Sequence, residues 1–131
     1  MINKKVITGC EARGDAESPY LTRWTLLQTR FGNLYLHQFH RSDADTMHDH
    51  PWPFVSLILW RGYIEETPKG RRRKLPGMLL FRRAEHVHRV ELIHDRPAVT
   101  LVFVGNRQRD WGFHLPTGWL EWREYFRRMG C

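Results

Sequence analysis

Short runs in which apolar and polar residues alternate, separated by glycine, proline, asparagine and aspartate, occupy most of the chain and predict a succession of β-strands. The first is KKVIT at 4–8, followed by the polar, irregular EARGDAESP at 11–19. YLTRWTLLQTR (20–30) and LYLHQFH (34–40) then flank FGN and predict a hairpin, with Gly32 and Asn33 as its tolerant turn positions. FVSLILWRGYIEE (54–66) predicts a further strand, bent or bulged at Gly62. GMLLF (77–81), HVHRVEL (86–92) and AVTLVFVG (98–105) continue the series.

The period changes in the tail. In LPTGWLEWREYFRRMG (115–130), Trp119, Trp122, Phe126 and Met129 recur at three- and four-residue intervals. Thr117 stands where an N-cap belongs and Gly130 where a C-terminal cap does, so the spacing predicts an amphipathic α-helix over 117–129. Its aromatic face is expected to pack on the outside of the β-structure, with a dimer contact as the alternative. The pattern is therefore all-β with one C-terminal helix, and a chain that must avoid exposed strand edges becomes a sandwich, a jelly roll or a small barrel.

Size and composition narrow this picture. At 131 residues the chain is expected to be a single domain, 1–131, able to bury a core without disulfides. Cys10 and Cys131 have no framework or zinc-ribbon spacing, and Cys131 is expected to be an incidental exposed thiol. The longest mainly apolar stretch, PWPFVSLILW (51–60), is too short to span a bilayer and no signal sequence is evident, so a soluble cytoplasmic protein is expected. The formal charge of +7 favours acidic partners. Much of the excess sits in KGRRRK (69–74), which reads as a solvated loop, with an anion contact as its functional alternative.

The eight histidines carry the candidate chemistry. His37, His40, His94 and His114 stand singly, whereas His48/His50 and His86/His88 form two HxH pairs. Side chains alternate along a strand, so each pair presents two imidazoles to one face. Two such strands brought together supply three or four neutral nitrogen ligands, which suit zinc, copper, iron or nickel.

HDH at 48–50 followed by Gly62, and GMLLFRRAEHVH at 77–88 with its glycine eleven residues before the final histidine, resemble the two motifs of the cupin superfamily of small single-domain barrels. The resemblance covers about 34–105. It implies a double-stranded β-helix, or jelly-roll barrel, with His48, His50 and His88 binding one metal in the barrel mouth. Departures from the motifs are plain. Phe54 and Val55 stand where the cupin glutamate ligand belongs, Arg83 and Glu85 replace the proline and glycine of the second motif, and Leu92 takes the place of its asparagine. The three-histidine set left over resembles that of the cysteine and β-diketone dioxygenases of the cupin type, which implies a divalent transition metal, iron(II) ahead of zinc, manganese or nickel. His86, on the same face as His88, is an alternative or additional ligand. The resemblance also implies a homodimer.

Other residues have a chemical and a structural reading. Tyr63 and Tyr35 are a proton donor or packing residues; His37 is an inward-facing or structural histidine; Trp52 is a stacking wall or a rigid corner with Pro51 and Pro53. Asp49, on the opposite face from the two histidines, is expected to be exposed or to sit behind the ligands. Arg82 and Arg109 are the better candidates for binding a substrate carboxylate or phosphate, and Arg89 alternates outward. The expected activity is that of a metal-dependent enzyme, an oxygenase acting on a small anionic molecule, in which Tyr63, His86 and Arg82 assist. A non-catalytic ligand-binding or sensory module is the alternative, and a metal-free sugar epimerase or isomerase a further one. No reading helix for nucleic acid is evident, and no membrane partner is expected.

Overall fold

A computed structural model of the chain describes residues 3–8, 19–42 and 46–128. Twelve strands appear among these: β1 (Asn3–Thr8), β2 (Pro19–Thr29), β3 (Gly32–Phe39), β4 (Met47–His48), β5 (Phe54–Trp60), β6 (Tyr63–Thr67), β7 (Gly70–Lys74), β8 (Leu79–Arg82), β9 (Arg89–Leu92), β10 (Ala98–Val104), β11 (Gly112–Leu115) and β12 (Gly118–Glu121). One helix, α1 (Trp122–Arg128), follows. The strands form a six-stranded sheet in the order β1-β2-β3-β10-β5-β8 and two three-stranded sheets, β12-β11-β4 and β7-β6-β9. Every named pairing is antiparallel. An isolated bridge between His48 and His88 joins the two small sheets into one layer. No helix among the described residues is long and apolar enough to cross a membrane.

The layers meet through alternate residues. Ile58, Leu80 and Ala98 from the large sheet pack with Tyr63, Val90 and Leu92 from the small one. A second cluster, Tyr35, Val102 and Val104, is covered by Trp52 and Phe54. The other face of the large sheet is apolar too. Leu36–Leu101–Leu57–Leu79 and Leu34–Phe103–Val55–Phe81 are directly paired rows across β3, β10, β5 and β8. Phe81 and Leu79 are exposed at 68% and 52%, so this end of the face is not covered by the rest of the described chain.

Several local expectations are corrected. The β2–β3 turn is Arg30–Phe31, and Gly32 already lies in β3, where a Cβ would come within 2.0 Å of the Val104 carbonyl oxygen. FVSLILWRGYIEE is two strands in different sheets, because Arg61 and Gly62 both take positive φ and turn the chain through the barrel corner. KGRRRK is not a loop. Gly70–Lys74 forms β7, an edge strand paired with β6, whose positive side chains discourage further pairing. Arg71 is held there by Glu66 and Glu91.

The predicted helix over 117–129 starts later. Gly118, at φ +126, closes a hairpin that lays Gly118–Glu121 against β11, so Thr117 belongs to its turn and caps nothing. The cap is Glu121, whose Oε1 accepts from the backbone N–H groups of Arg123 (2.8 Å) and Glu124 (3.2 Å). Met129 and Gly130, like Cys10 and Cys131, lie outside the described residues. The aromatic face of α1 packs as expected, with Trp122 stacked on Trp111 and Tyr125 on Phe113 at 3.7 Å between centroids.

Gly62 tests this architecture. A Cβ there would lie 2.2 Å from the Lys74 carbonyl oxygen, on a backbone at φ +75. Gly62→Ala is expected to lower stability by about 1–3 kcal/mol in urea titration, because both strain and clash must be relieved. An unchanged midpoint would mean that the corner is not held as described.

Candidate metal centre

The HDH segment is fixed by its backbone before its side chains matter. His48 N–H donates to His88 O (2.9 Å) and His88 N–H to His48 O (3.0 Å). Asp49 N–H donates to Gly112 O and His50 N–H to Ala84 O. With the segment extended, His48 and His50 turn to one side and meet His88 across the bridge. The ring centroids of His48 and His50 lie 5.2 Å apart, those of His48 and His88 5.0 Å, and those of His50 and His88 4.7 Å. One nitrogen from each ring falls within 4.8 Å of the others, a grouping that could hold a metal ion.

The outer hydrogen bonds decide which nitrogens face inward. His50 Nδ1 lies 3.1 Å from the His86 carbonyl oxygen, and His88 Nδ1 lies 2.7 Å from Glu65 Oε2. Both partners accept only, so both Nδ1 atoms carry the proton and both Nε2 atoms keep a lone pair. Those two Nε2 atoms are 3.1 Å apart. Lone pairs aimed at each other at that separation repel unless a cation lies between them, and a ligating histidine with its other nitrogen on a carboxylate or carbonyl is the usual arrangement around a metal. The donor set therefore fits a divalent transition metal.

Glu65 is the residue that the sequence motifs did not single out. It is 3% exposed on the inner face of β6. Its Oε2 accepts from His88, from His86 Nε2 (3.0 Å) and from Arg82 Nε (3.1 Å), while Oε1 accepts from Arg82 Nη2 (2.6 Å). Burial pushes its carboxyl up, yet the hydrogen bonds from His86, His88 and Arg82 outweigh burial and hold it far below the usual carboxylate range. Strand parity was the available signal, since Tyr63 and Glu65 share the inner face of β6. Glu65, His86 and His88 form a second grouping of ligand type. A cation there would face the Arg82 guanidinium, so the three-histidine grouping is the better metal position.

The remaining candidates fall into place around these groups. His86 sits on Glu65 and borders a cavity of about 570 Å³ lined also by Phe81, Arg82, Arg83 and Glu85. Arg82 is taken up by Glu65, and Tyr63 lies in the apolar cluster with Ile58 and Leu80. Arg109 forms an ion pair with Asp49 (3.0 Å) and donates to the His50 carbonyl (3.2 Å). Phe54, at the expected glutamate position, puts its ring 4.7 Å from that of His50. Asp49 alternates away from the histidines and is 2% exposed, behind them rather than in solvent, because the β11–β12 hairpin covers that side and supplies Gly112 N–H, His114 and Trp119 Nε1 to it. Arg89 alternates to the face away from His88, as expected, but is only 8% exposed because it pairs there with Glu66 at 3.1 Å.

No protein-family model and no curated protein matches the sequence. Solved structures do. A cupin-2 domain protein from Rhodospirillum rubrum matches with a TM-score of 0.69 and 13% identity, covering 89% of this chain and 78% of its own. KdgF from Halomonas sp. matches with a TM-score of 0.56 and 19% identity over 69% and 84% of the two chains. The polyketide cyclase RemF from Streptomyces resistomycificus matches with a TM-score of 0.57 and 14% identity over 68% of each.

The buried imidazoles give the metal-free protein a pH signature. Burial first, then the neighbouring Arg23, holds His37 down at about 3. Burial, then His88 and His86, takes His50 to about 2, and burial with its histidine neighbours keeps His48 well below its ordinary value. Folded values below the ordinary 6.5 mean that the unfolded chain binds more protons, so this stability is present above 6.5 and lost as pH falls from there towards 3. Urea denaturation of metal-free protein at pH 7.5 and 5.5 should show a loss of about 1–4 kcal/mol. A flat profile would mean that these rings are not buried neutral.

Proposed function

We propose that this chain, which has the cupin fold of a double-stranded β-helix with a C-terminal helix, is a metal-dependent enzyme acting on a small anionic molecule. His48, His50 and His88 would hold one divalent transition metal. The observation that carries the reading is the 3.1 Å approach of the His50 and His88 Nε2 atoms, each with its Nδ1 tied to an acceptor. No fourth histidine, cysteine or carboxylate joins that grouping among the described residues, and a centre with open positions is the mark of a catalytic rather than a structural ion.

Such an ion would supply Lewis acidity to a substrate oxygen and, as iron(II), a partner for dioxygen, which makes an oxygenase the specific form of the proposal. The chain's own contribution is arrangement. Glu65 keeps the proton on His88 Nδ1, and Arg82 clamps Glu65 from the other side so that the carboxylate cannot turn towards the ion. Phe54 keeps water from one side of His50. Since the ligands are all neutral, the ion would keep its full charge, which favours an anionic ligand.

Metal analysis of untagged protein tests this directly. About one transition-metal ion per chain is expected, lost in His48→Ala and His88→Ala, and bound 10–100-fold more weakly in Glu65→Gln. Protein without stoichiometric metal would remove the basis of the reading. Dioxygen uptake by the loaded protein over a set of small carboxylates then separates an oxygenase from a binding module.

The uncovered face of the large sheet favours a second copy of the chain as partner. Contiguous apolar patches beyond a few hundred Å² mark interaction sites, and the paired rows ending at Phe81 and Leu79 are apolar from β8 to β3, with Lys4, beyond Trp24, at the far edge of the sheet. Light scattering should give twice the 15.8 kDa chain mass, and Phe81→Glu with Leu79→Glu should return the monomer. A monomeric wild type at micromolar concentration would reject this partner.

A further inference from the structure

β7 ends the β7-β6-β9 sheet, and no strand among the described residues pairs with its outer edge. Its pairing with β6 fixes which backbone groups that edge offers. Thr67 and Gly70 flank a two-residue hairpin turn and form its first pair, so they exchange both hydrogen bonds, and the pattern repeats at Glu65–Arg72 and Tyr63–Lys74. The N–H and C=O groups of Arg71 and Arg73 therefore point away from β6, towards the open edge. β6 shows the same parity on its other side, where Glu66 and Ile64 pair with Arg89 and Glu91 of β9.

Side chains along β7 alternate between its faces. Arg71 lies on the outer face, where Glu66 and Glu91 hold it. Arg72, on the barrel side, stands cross-strand from Glu65, but Arg82 takes both oxygens of that carboxylate. Arg72, Arg73 and Lys74 have no carboxylate partner among the described residues, and Arg72 and Arg73 are exposed. An exposed edge with free backbone groups is a template for a further strand. A second copy of β7 would set cations opposite cations, so the charge bars self-pairing and admits a strand of opposite sign. Nucleic acid fits less well. Arg73 shares its face with Glu66 and Glu91, and alternation leaves no more than two free cations on either face of the strand, too few for a phosphate backbone.

We propose that the open edge of β7 is a docking site for an extended acidic segment of a partner protein, which adds as a further antiparallel strand, the orientation of both existing pairs in this sheet. The backbone of Arg71 and Arg73 supplies the ladder, and Arg72, Arg73 and Lys74 select three consecutive acidic residues. The central carboxylate lies opposite Arg73 on the outer face, and the two flanking ones lie opposite Arg72 and Lys74 on the barrel side. The residue opposite Arg71 is uncharged, because Arg71 already has its counter-charge. The inference goes beyond the metal reading and uses none of His48, His50 and His88.

Fluorescence anisotropy of full-length protein with a labelled peptide, three consecutive glutamates flanked by valine and threonine, tests the site. Saturable one-to-one binding is expected, weakened about tenfold or more in the double variant Arg72→Gln, Lys74→Gln. The central glutamate N–H faces Arg73, and those of the other two face away. N-methylation of the central residue should therefore weaken binding about tenfold or more, and methylation of the flanking two should leave it within about threefold. The methylated peptides leave the protein unaltered, so this arm does not depend on how a variant folds. No binding by the wild type, undiminished binding in the double variant, or central methylation costing no more than flanking methylation would overturn the proposal. Tighter binding of an oligothymidylate of equal charge would also overturn it, in favour of a nucleic-acid surface.

Discussion

The antiparallel bridge between His48 and His88 is the constraint on which the rest depends. Two backbone hydrogen bonds there, 2.9 and 3.0 Å, are what make two three-stranded sheets into one layer. A bridge of one residue pair is a weak junction taken alone, since sheets draw stability from cross-strand pairs repeated along a ladder. Here the flanking bonds from Asp49 N–H and His50 N–H continue the contact to Gly112 and Ala84, so that the three residues His48–His50 tie β11 to the β8–β9 connection. The junction of the layer and the convergence of the imidazoles are one piece of geometry. Disturbing either disturbs the other.

Asp49 shows how both faces of that segment are put to use. Its carboxylate is almost fully buried and would carry a large desolvation cost without partners. A backbone N–H, the Trp119 indole, His114 and Arg109 surround it, and Arg109 also reaches the His50 carbonyl. The β11–β12 hairpin and the helix behind it are thereby fastened to the same residues that aim the histidines. Trp111 completes the link, stacked on Trp122 of the helix and 6.0 Å from the His48 ring.

Strand periodicity made the histidine pairs legible in the sequence, because HxH on an extended chain fixes which side chains share a face. It made β1, β8, β9 and β10 legible for the same reason. Charge and helical spacing misled where pairing overrode them. Five mostly basic residues from Gly70 became an edge strand because β6 offered a ladder, and Gly118–Glu121 paired with β11 before the helical period could take hold. Glu65 stayed hidden for a different reason. The sequence motifs placed a glutamate near Phe54, whereas the carboxylate arrives from β6, a strand that only becomes a neighbour of His88 once the chain has turned at Arg61 and Gly62.

That rerouting changes the chemistry more than the composition. A carboxylate placed beside His50 would coordinate an ion and cancel part of its charge; the same carboxylate on His88 Nδ1 leaves the charge intact and raises the basicity of the ligand. Arg82 then neutralises Glu65, so an ion held by the three histidines would set the charge of this part of the inner wall. Neutral imidazoles and the Phe54 ring surround that position. An interior of this kind would attract an anion and offer a bound one few alternative partners.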